Sequence, residues 1–297
     1  MPPQQALAPT SWTLALCLLL AFSSASALLF PSAPGVRTSS TMAASPPAAA
    51  ADGEIPRVTV LGFGSLLSER SSRLTFPNLT GFRLGTVPGH RRVFCHPASI
   101  FFERGIANIG TLEISSLSAE KADGCSFVCS VFEVPGGELL EDPGGGEEEG
   151  GEGSGSFVPS RAFLEREEEF EIVRVPYLER GEAEAVGAGP KMGVLCRRST
   201  DAAYAARWGR ERFERKYGTH GLKTIWGWGT ESGIRPCGPY LRHCVLAAGA
   251  MGTGCLDSFL DETYLADRTT PIREYLAAHP EVMETVPPGD LAVRYGG

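Results

Sequence analysis

The sequence has few basic residues. It also lacks any basic stretch interleaved with aromatic residues, and such a stretch is typical of a nucleic-acid-binding surface. Lys and Arg number 27 against 35 Asp and Glu, so the net charge is −8. We therefore expect no nucleic-acid partner. The eight cysteines include no C-x-x-C pair, and the five histidines include no pair with metal-ligand spacing. These absences predict buried free thiols, no disulfide framework and no metal site.

A dinucleotide-binding fingerprint is also incomplete in this sequence. The apolar run VTVL leads into Gly62-Phe63-Gly64, but the third glycine of G-x-G-x-x-G would fall at Leu67. No helical periodicity opens after this loop. The pattern argues against a nicotinamide enzyme, and we expect no cofactor. The two glycines instead predict a tight turn at which the backbone closely approaches another group.

Residues 1–52 form a predicted targeting leader. The apolar run WTLALCLLLAF, 12–22, is too short for a membrane span and is followed by the small residues SSASA, as in a signal peptide. The next stretch, rich in Ala, Ser and Pro, carries Arg37 and no acidic residue before Asp52. This resembles the bipartite leader of algae whose plastids lie inside extra membranes. We expect plastid targeting, with secretion or the endomembrane system as the alternative, and no stable membrane span in the mature chain.

The remaining residues, 53–297, are predicted to form one domain in which strands precede helices. The strand-like runs are VTVLGF, RRVFC, SFVCSVFEV, FEIVRV and GVLC. A Gly/Glu-rich segment at 135–156 predicts a disordered acidic loop. Helical signals cover 202–218, a stretch from Pro239, CLDSFLDETYL, and IREYLAAH in a helical extension at about 266–297. The pattern predicts an α+β fold.

Four short motifs follow one another in an order that is typical of one enzyme family. VLGFGSLL has the form of a strand leading into a Y/F-G-S-x-L loop, and GHRRVF, 89–94, has the form G-x-R-R-x-F. A strand at 126–134 precedes FLERE, an amphipathic segment ending in a glutamate, and PCGPY, 236–240, heads an apolar helix. Together, over about 57–265, they resemble the γ-glutamylcyclotransferase superfamily, and the GSLL loop is closest to its ChaC-type, glutathione-degrading branch.

The resemblance implies a mixed β-barrel or sheet with surrounding helices, and it implies a reaction. In the family, the substrate's own α-amine attacks its γ-glutamyl carbonyl, closes a five-membered ring and releases 5-oxoproline and the amine portion. No metal, cofactor or outside nucleophile takes part. We expect a small-molecule γ-glutamyl substrate such as glutathione. The alternatives are a γ-glutamylamine cyclotransferase or an acyl transferase using the same pocket, and a γ-glutamyl-binding module without turnover.

One carboxylate can take the proton from the α-ammonium and return it to the leaving amine, if its pKa is raised towards neutrality. The candidates lie in RAFLEREEEF: Glu165, Glu167, Glu168 and Glu169. The family glutamate follows an apolar residue by about four positions and an arginine by one, and both criteria select Glu167. Glu168 is the alternative if the helix ends one residue later, and Glu169 stays open. Glu165 is better explained as part of a solvated acidic face.

The resemblance also implies a set of substrate-binding residues. The backbone N–H groups of Gly64, Ser65, Leu66 and Leu67 would hold the substrate's α-carboxylate in an anion-binding turn. Tyr240, at the head of its helix, would line the pocket with its hydroxyl. Phe170 stands where the family often has tyrosine, so it would contact the substrate without that hydroxyl's hydrogen bond.

Overall fold

The structure is a computed structural model that describes residues 56–141, 157–180 and 189–295. The predicted leader and most of the predicted acidic loop lie outside the described residues and stay predictions. Within the described residues, no helix is both long enough and apolar enough to cross a membrane. The cysteines of this part of the chain all carry free thiols.

The described strands form one mixed sheet whose central part closes into a five-stranded barrel. β3 pairs with β1 and β2, β1 pairs with β5, and β4 joins β5 to β2, which completes the ring. Two short strands extend it, β6 beside β3 and β7 beside β2. With the helices around it, this barrel confirms the predicted α+β class. The bounds are β1 Arg57–Gly62, β2 Thr80–Pro97, β3 Glu113–Pro135, β4 Glu171–Glu179, β5 Lys191–Arg197, β6 Arg235–Pro236 and β7 Thr263–Leu265.

All five predicted strands are present, but two of them are far longer than their apolar cores indicate. β2 has 18 residues and β3 has 23. The pair runs antiparallel along most of this length, with register shifts near Pro88 and Phe94. Such irregularities let a long strand bend and change the face it presents, so it can serve both the barrel and an outer layer. Val93 and Phe94 accordingly belong to two different buried clusters.

The helices pack outside the barrel. Their bounds are α1 Glu69–Thr75, α2 Ser99–Glu103, α3 Arg161–Arg166, α4 Asp201–Trp208, α5 Arg210–Lys216, α6 Gly238–Ala250, α7 Thr253–Asp261, α8 Ile272–Ala278 and α9 Ala292–Tyr295. α6 begins beside Pro239 and α8 covers IREYLAA, as predicted.

Two helix predictions are wrong in extent. The single helix expected over 202–218 is broken at Gly209, whose φ of +80° is accessible to glycine and strained for other residues. The break lets α5 leave the line of α4. The helix expected over CLDSFLDETYL ends at Asp261, because Thr263–Leu265 pairs with β2 as a parallel strand instead.

The first residues of the predicted acidic loop, 135–141, are part of the fold. Residues 136–138 form a turn of 3-10 helix, and the Leu139 side chain is fully buried in a cluster with Phe163 and Val60. The Leu139 carbonyl accepts the N–H of Ser160, the residue that caps α3. Residues 135–141 therefore belong to the fold, because Leu139 anchors them beside α3. The contact with Leu139 holds Ser160, which begins α3, and α3 leads directly to Glu167, Glu168 and Glu169.

Candidate active site

A cavity of about 550 Å³ opens where the end of β1, the start of α2 and the end of α3 meet. Gly64, Ser65 and Leu66 line it after β1, and Ser99 lines it at the start of α2. Residues 165–170, Tyr240 of α6 and Lys216 of α5 contribute further polar groups to the wall. This volume is within the usual range for a small-molecule site.

The turn after β1 approaches Tyr240 closely. A Cβ atom placed on Gly64 would lie 2.5 Å from the Tyr240 hydroxyl oxygen, so a side chain at position 64 has no room. Ser65–Leu67 then forms a turn of 3-10 helix. Leu67 differs from the prediction: its side chain is fully buried in the barrel core, and its N–H donates to the Gly64 carbonyl at 3.0 Å. The cavity is therefore faced by Gly64, Ser65 and Leu66, and Leu67 supports the turn from behind.

Tyr240 holds its hydroxyl at this turn from the first turn of α6. Its ring packs against Phe94 and Phe101, and the residue is buried. Burial, followed by the charge of the neighbouring Cys244, raises the pKa of the phenol well above its usual range. The hydroxyl is therefore neutral and keeps a proton that it can donate.

Glu167 occupies the position directly after α3, with its carboxylate in the cavity wall. It forms an ion pair with Arg166 Nε at 3.5 Å. The Cys196 thiol of β5 forms a hydrogen bond with Glu167. Burial, and next the charge of Glu167, raise the pKa of this thiol well above its usual range. The thiol therefore keeps its proton and is the donor.

The register of the barrel relates Glu167 to the turn after β1. Val60 of β1 pairs with Val194 of β5, and the two strands run parallel. Two residues further along each strand, Gly62 and Cys196 therefore lie at the same level of the barrel. Because Glu167 interacts with Cys196, its carboxylate lies beside the point where β1 enters the Gly64 turn.

Glu168 is the most deeply buried carboxylate of the acidic run, with a side chain only 3% exposed. It forms ion pairs with Arg212 Nη2 at 2.5 Å and with Lys216 Nζ at 2.6 Å. The Ser99 hydroxyl donates to the same carboxylate at 3.1 Å. These contacts fix Glu168 between α2 and α5, on a different side of the acidic run from the Cys196 contact of Glu167.

Glu169 and Glu165 have opposite environments. Glu169 is buried, and it accepts hydrogen bonds from the Tyr217 hydroxyl at 2.5 Å and the Ser99 N–H at 3.2 Å. Burial raises its pKa, although those donors oppose the shift. Glu165 pairs with Arg161 one turn earlier on α3, and both side chains are about half exposed. Glu165 thus lies on a solvated helix face, as its sequence context indicates, although it also reaches the cavity rim.

Phe170 lies at the cavity edge, where it packs against His96 and Trp226. Its side chain carries no hydroxyl, so it can offer the substrate no side-chain hydrogen bond. His96 itself is fully buried, and burial together with nearby Arg198 lowers its pKa to about 3, so it is neutral.

Several residues that line the cavity or contact its carboxylates were not identified from the sequence, namely Ser99, Cys196, Arg212, Lys216 and Tyr217. Three of them come from α5 and the residue after it, in a segment that the family motifs do not cover. A signal for two of these existed: Arg212 and Lys216 are four residues apart, so they share one helix face, and an acidic run precedes them. The sequence could not indicate which carboxylate these two cations would pair with, because many acidic side chains were available.

The buried carboxylate of Glu169 gives a pH-dependent prediction. Because its pKa is raised on folding, the folded chain binds this proton more tightly, and stability falls as pH rises from about the ordinary value of 4.5 to the raised value. Glu169→Gln removes this loss. We expect the variant's free energy of unfolding in urea, relative to the native chain, to increase as pH rises from 4.5. Glu231→Gln, on an exposed turn, is the control, and a difference that stays constant with pH would contradict the prediction.

Comparisons with known proteins bear on the fold. No protein-family model matches the chain, and no curated protein matches it. Among solved structures, a yeast γ-glutamyl cyclotransferase specific to glutathione is 12% identical, with a TM-score of 0.38, over 77% of this chain and 96% of that one. A second γ-glutamyl cyclotransferase is 9% identical, with a TM-score of 0.30, over 59% and 92%. An uncharacterized protein from Homo sapiens is also 9% identical, with a TM-score of 0.32, over the same shares.

The solved structures to which the chain is similar are γ-glutamyl cyclotransferase-like, as the sequence motifs predict. At identities of 9–12% and TM-scores of 0.30–0.38, no role of these proteins carries over to this chain.

Within the described residues, no three His, Cys, Asp or Glu side chains are grouped so as to hold a metal ion.

Proposed function

We propose that this chain is a γ-glutamyl cyclotransferase that releases 5-oxoproline from glutathione or another γ-glutamyl compound. The observation that carries the proposal is that the glycine turn and Glu167 line the same cavity. The turn follows β1, and Glu167 contacts Cys196 of the neighbouring strand β5. An anion-binding turn beside a carboxylate matches a substrate whose carboxylate and ammonium groups are attached to the same carbon atom.

The turn holds the glutamyl end of the substrate. Backbone N–H groups at Ser65 and Leu66 bind the α-carboxylate, and the absence of a side chain at Gly64 lets the Tyr240 hydroxyl reach the same turn. The Tyr240 hydroxyl, which meets the same turn, donates a further hydrogen bond to this carboxylate. The α-amine then lies one bond from the anchored carbon, within reach of Glu167.

Glu167 acts first as a base and then as an acid. As a base it takes a proton from the α-ammonium, and the freed amine attacks the γ-carbonyl of the same molecule. The bond from the γ-carbon to the leaving nitrogen then breaks as Glu167 gives its proton to that nitrogen. The ring nitrogen still carries two hydrogens after the attack, and it passes one of them through the freed Glu167 carboxylate to the released amine, so the products are 5-oxoproline and the ammonium form of the amine portion. Because nucleophile and electrophile belong to one bound molecule, holding the folded conformer supplies much of the rate enhancement. The Cys196 thiol orients the carboxylate throughout.

The proposal is tested by incubating the chain from about residue 53 onward with glutathione, γ-glutamyl amino acids and γ-glutamyl-lysine. We expect 5-oxoproline and a stoichiometric amount of the free amine portion from at least one compound, measured by mass spectrometry. A new γ-glutamyl conjugate would instead identify acyl transfer. Thermal stabilisation by a compound that yields no product would identify a binding module. Either of these last two results would contradict the proposed cyclisation.

A further inference from the structure

Helix α5 contributes a cationic side chain to the cavity that the proposed mechanism does not use. Lys216 is the last residue of α5 and lines the cavity beside α2. Its ammonium lies 2.6 Å from Glu168 Oε1, 3.3 Å from the Ser99 hydroxyl and 3.5 Å from Glu103 Oε1. The residue lies between the FLERE segment and PCGPY, so it is outside the motifs that suggested the reaction.

Lys216 shares its buried carboxylate partner with a second cation. The single negative charge of Glu168 faces two cations, Arg212 and Lys216. Glu103 is the next carboxylate, but its side chain is 54% exposed and its contact is long, so water weakens this pair. The Glu169 carboxylate is turned towards Tyr217 and the Ser99 N–H. Glu168 thus holds the Lys216 ammonium in place without cancelling the whole charge of the cluster.

A second cation of the cavity wall directly follows α2. Arg104 lines the cavity directly after α2, where it donates to the Tyr295 hydroxyl and lies over the Tyr295 ring. The remaining lining cation, Arg166, stacks on Phe76 and Phe163 beside Glu167. In the proposed mechanism the turn binds the glutamyl α-carboxylate, and Glu167 lies beside the α-amine. The amine portion of the substrate then extends towards the wall formed by α2 and α5.

We propose that Lys216 binds a carboxylate on the amine portion of the substrate, so that the site selects γ-glutamyl amino acids or peptides over γ-glutamylamines. The inference rests on the proposed function. An ammonium group has three donors, and a substrate carboxylate accepts from one of them in the place that the exposed Glu103 approaches. Arg104, closer to the cavity rim, assists by its charge.

The direct test compares two substrates that differ in one group, a γ-glutamyl dipeptide with a free C-terminal carboxylate and the same dipeptide as its C-terminal amide. The native chain is expected to favour the free acid by about tenfold or more in kcat/KM, the usual effect of a hydrogen bond between charged groups. Lys216→Met is expected to lose this preference by slowing the acid alone, and Lys216→Arg to keep part of it. Lys223→Met, which removes an exposed lysine, is the control.

The outcomes separate the two proposals. Equal turnover of acid and amide by the native chain would overturn the assignment of Lys216 and leave the cyclotransferase proposal standing. Retention of the full preference by a folded Lys216→Met chain would overturn it as well. The absence of 5-oxoproline from both compounds would defeat the proposed function and, with it, this inference. If Lys216→Met does not fold, the native comparison of acid with amide still decides.

Discussion

Replacing Glu167 by glutamine is expected to reduce the rate of 5-oxoproline formation by about 10² to 10⁴-fold, the contribution typical of a general acid–base group. Glutamine keeps the size of the side chain and can still accept from the Cys196 thiol, but it cannot take the proton of the α-ammonium. We expect kcat to fall with little change in KM, because the glycine turn binds the substrate independently. The thermal unfolding midpoint, measured on the same preparation, should match that of the native chain.

Two neighbouring variants provide the controls for Glu167. Glu165→Gln makes the same chemical change on the exposed face of α3, where Glu165 pairs with Arg161, and should retain activity. Glu168→Gln removes the charge shared by Arg212 and Lys216 and should lower stability, since two cations then lose their buried partner. Full activity of Glu167→Gln, together with loss of activity in a stable Glu168→Gln chain, would transfer the catalytic role to Glu168.

A single added methyl group at Gly64 is expected to reduce kcat/KM by about 100-fold. The new Cβ would lie 2.5 Å from the Tyr240 hydroxyl oxygen, which forces either the turn or the tyrosine to move. A displacement near 1 Å at a site that positions reacting groups typically has about this effect. Both KM and kcat should change, because the turn holds the α-carboxylate and thereby sets the distance from the amine to Glu167. Steady-state kinetics with the best substrate measure the effect.

The steric origin of this effect has its own test. Tyr240→Phe removes the oxygen atom that the new Cβ would contact. Gly64→Ala should therefore reduce kcat/KM less in a Tyr240→Phe chain than it does in the native chain. Gly229→Ala is the matched control, because a Cβ atom at that position meets nothing within 4 Å. Native kinetics in the Gly64→Ala chain would show that the close approach has no functional role.

Local sequence patterns were sufficient for the elements that carry the glycine turn and Glu167. Alternating apolar runs identified β1, β4 and β5, since strands that line a barrel core have to carry such runs. The two glycines after β1 indicated a tight approach, and Gly64 does meet Tyr240 from a segment far along the chain. The resemblance to one family then related these separate segments to a single pocket.

Other parts of the site depend on contacts that local patterns do not encode. The Gly209 break redirects α5, and the burial of Tyr204 and Tyr217 against the outer face of the barrel decides which side of α5 faces the acidic run. Lys216 and Arg212 reach Glu168 only as a result of that packing. The pairing of β1 with β5, which places Cys196 level with Gly62, likewise joins segments that are far apart in the sequence. Both arise from tertiary structure, so composition and spacing could not locate them.

The central claim is that the substrate's own α-amine, and not water, attacks the γ-carbonyl. The most direct measurement is to run the reaction with the best substrate in water labelled with heavy oxygen and to analyse the products by mass spectrometry. Intramolecular attack predicts 5-oxoproline without the label, because its ring carbonyl keeps the oxygen of the original amide. Glutamate carrying one labelled oxygen would contradict the account, since it would make water the nucleophile and the enzyme a hydrolase.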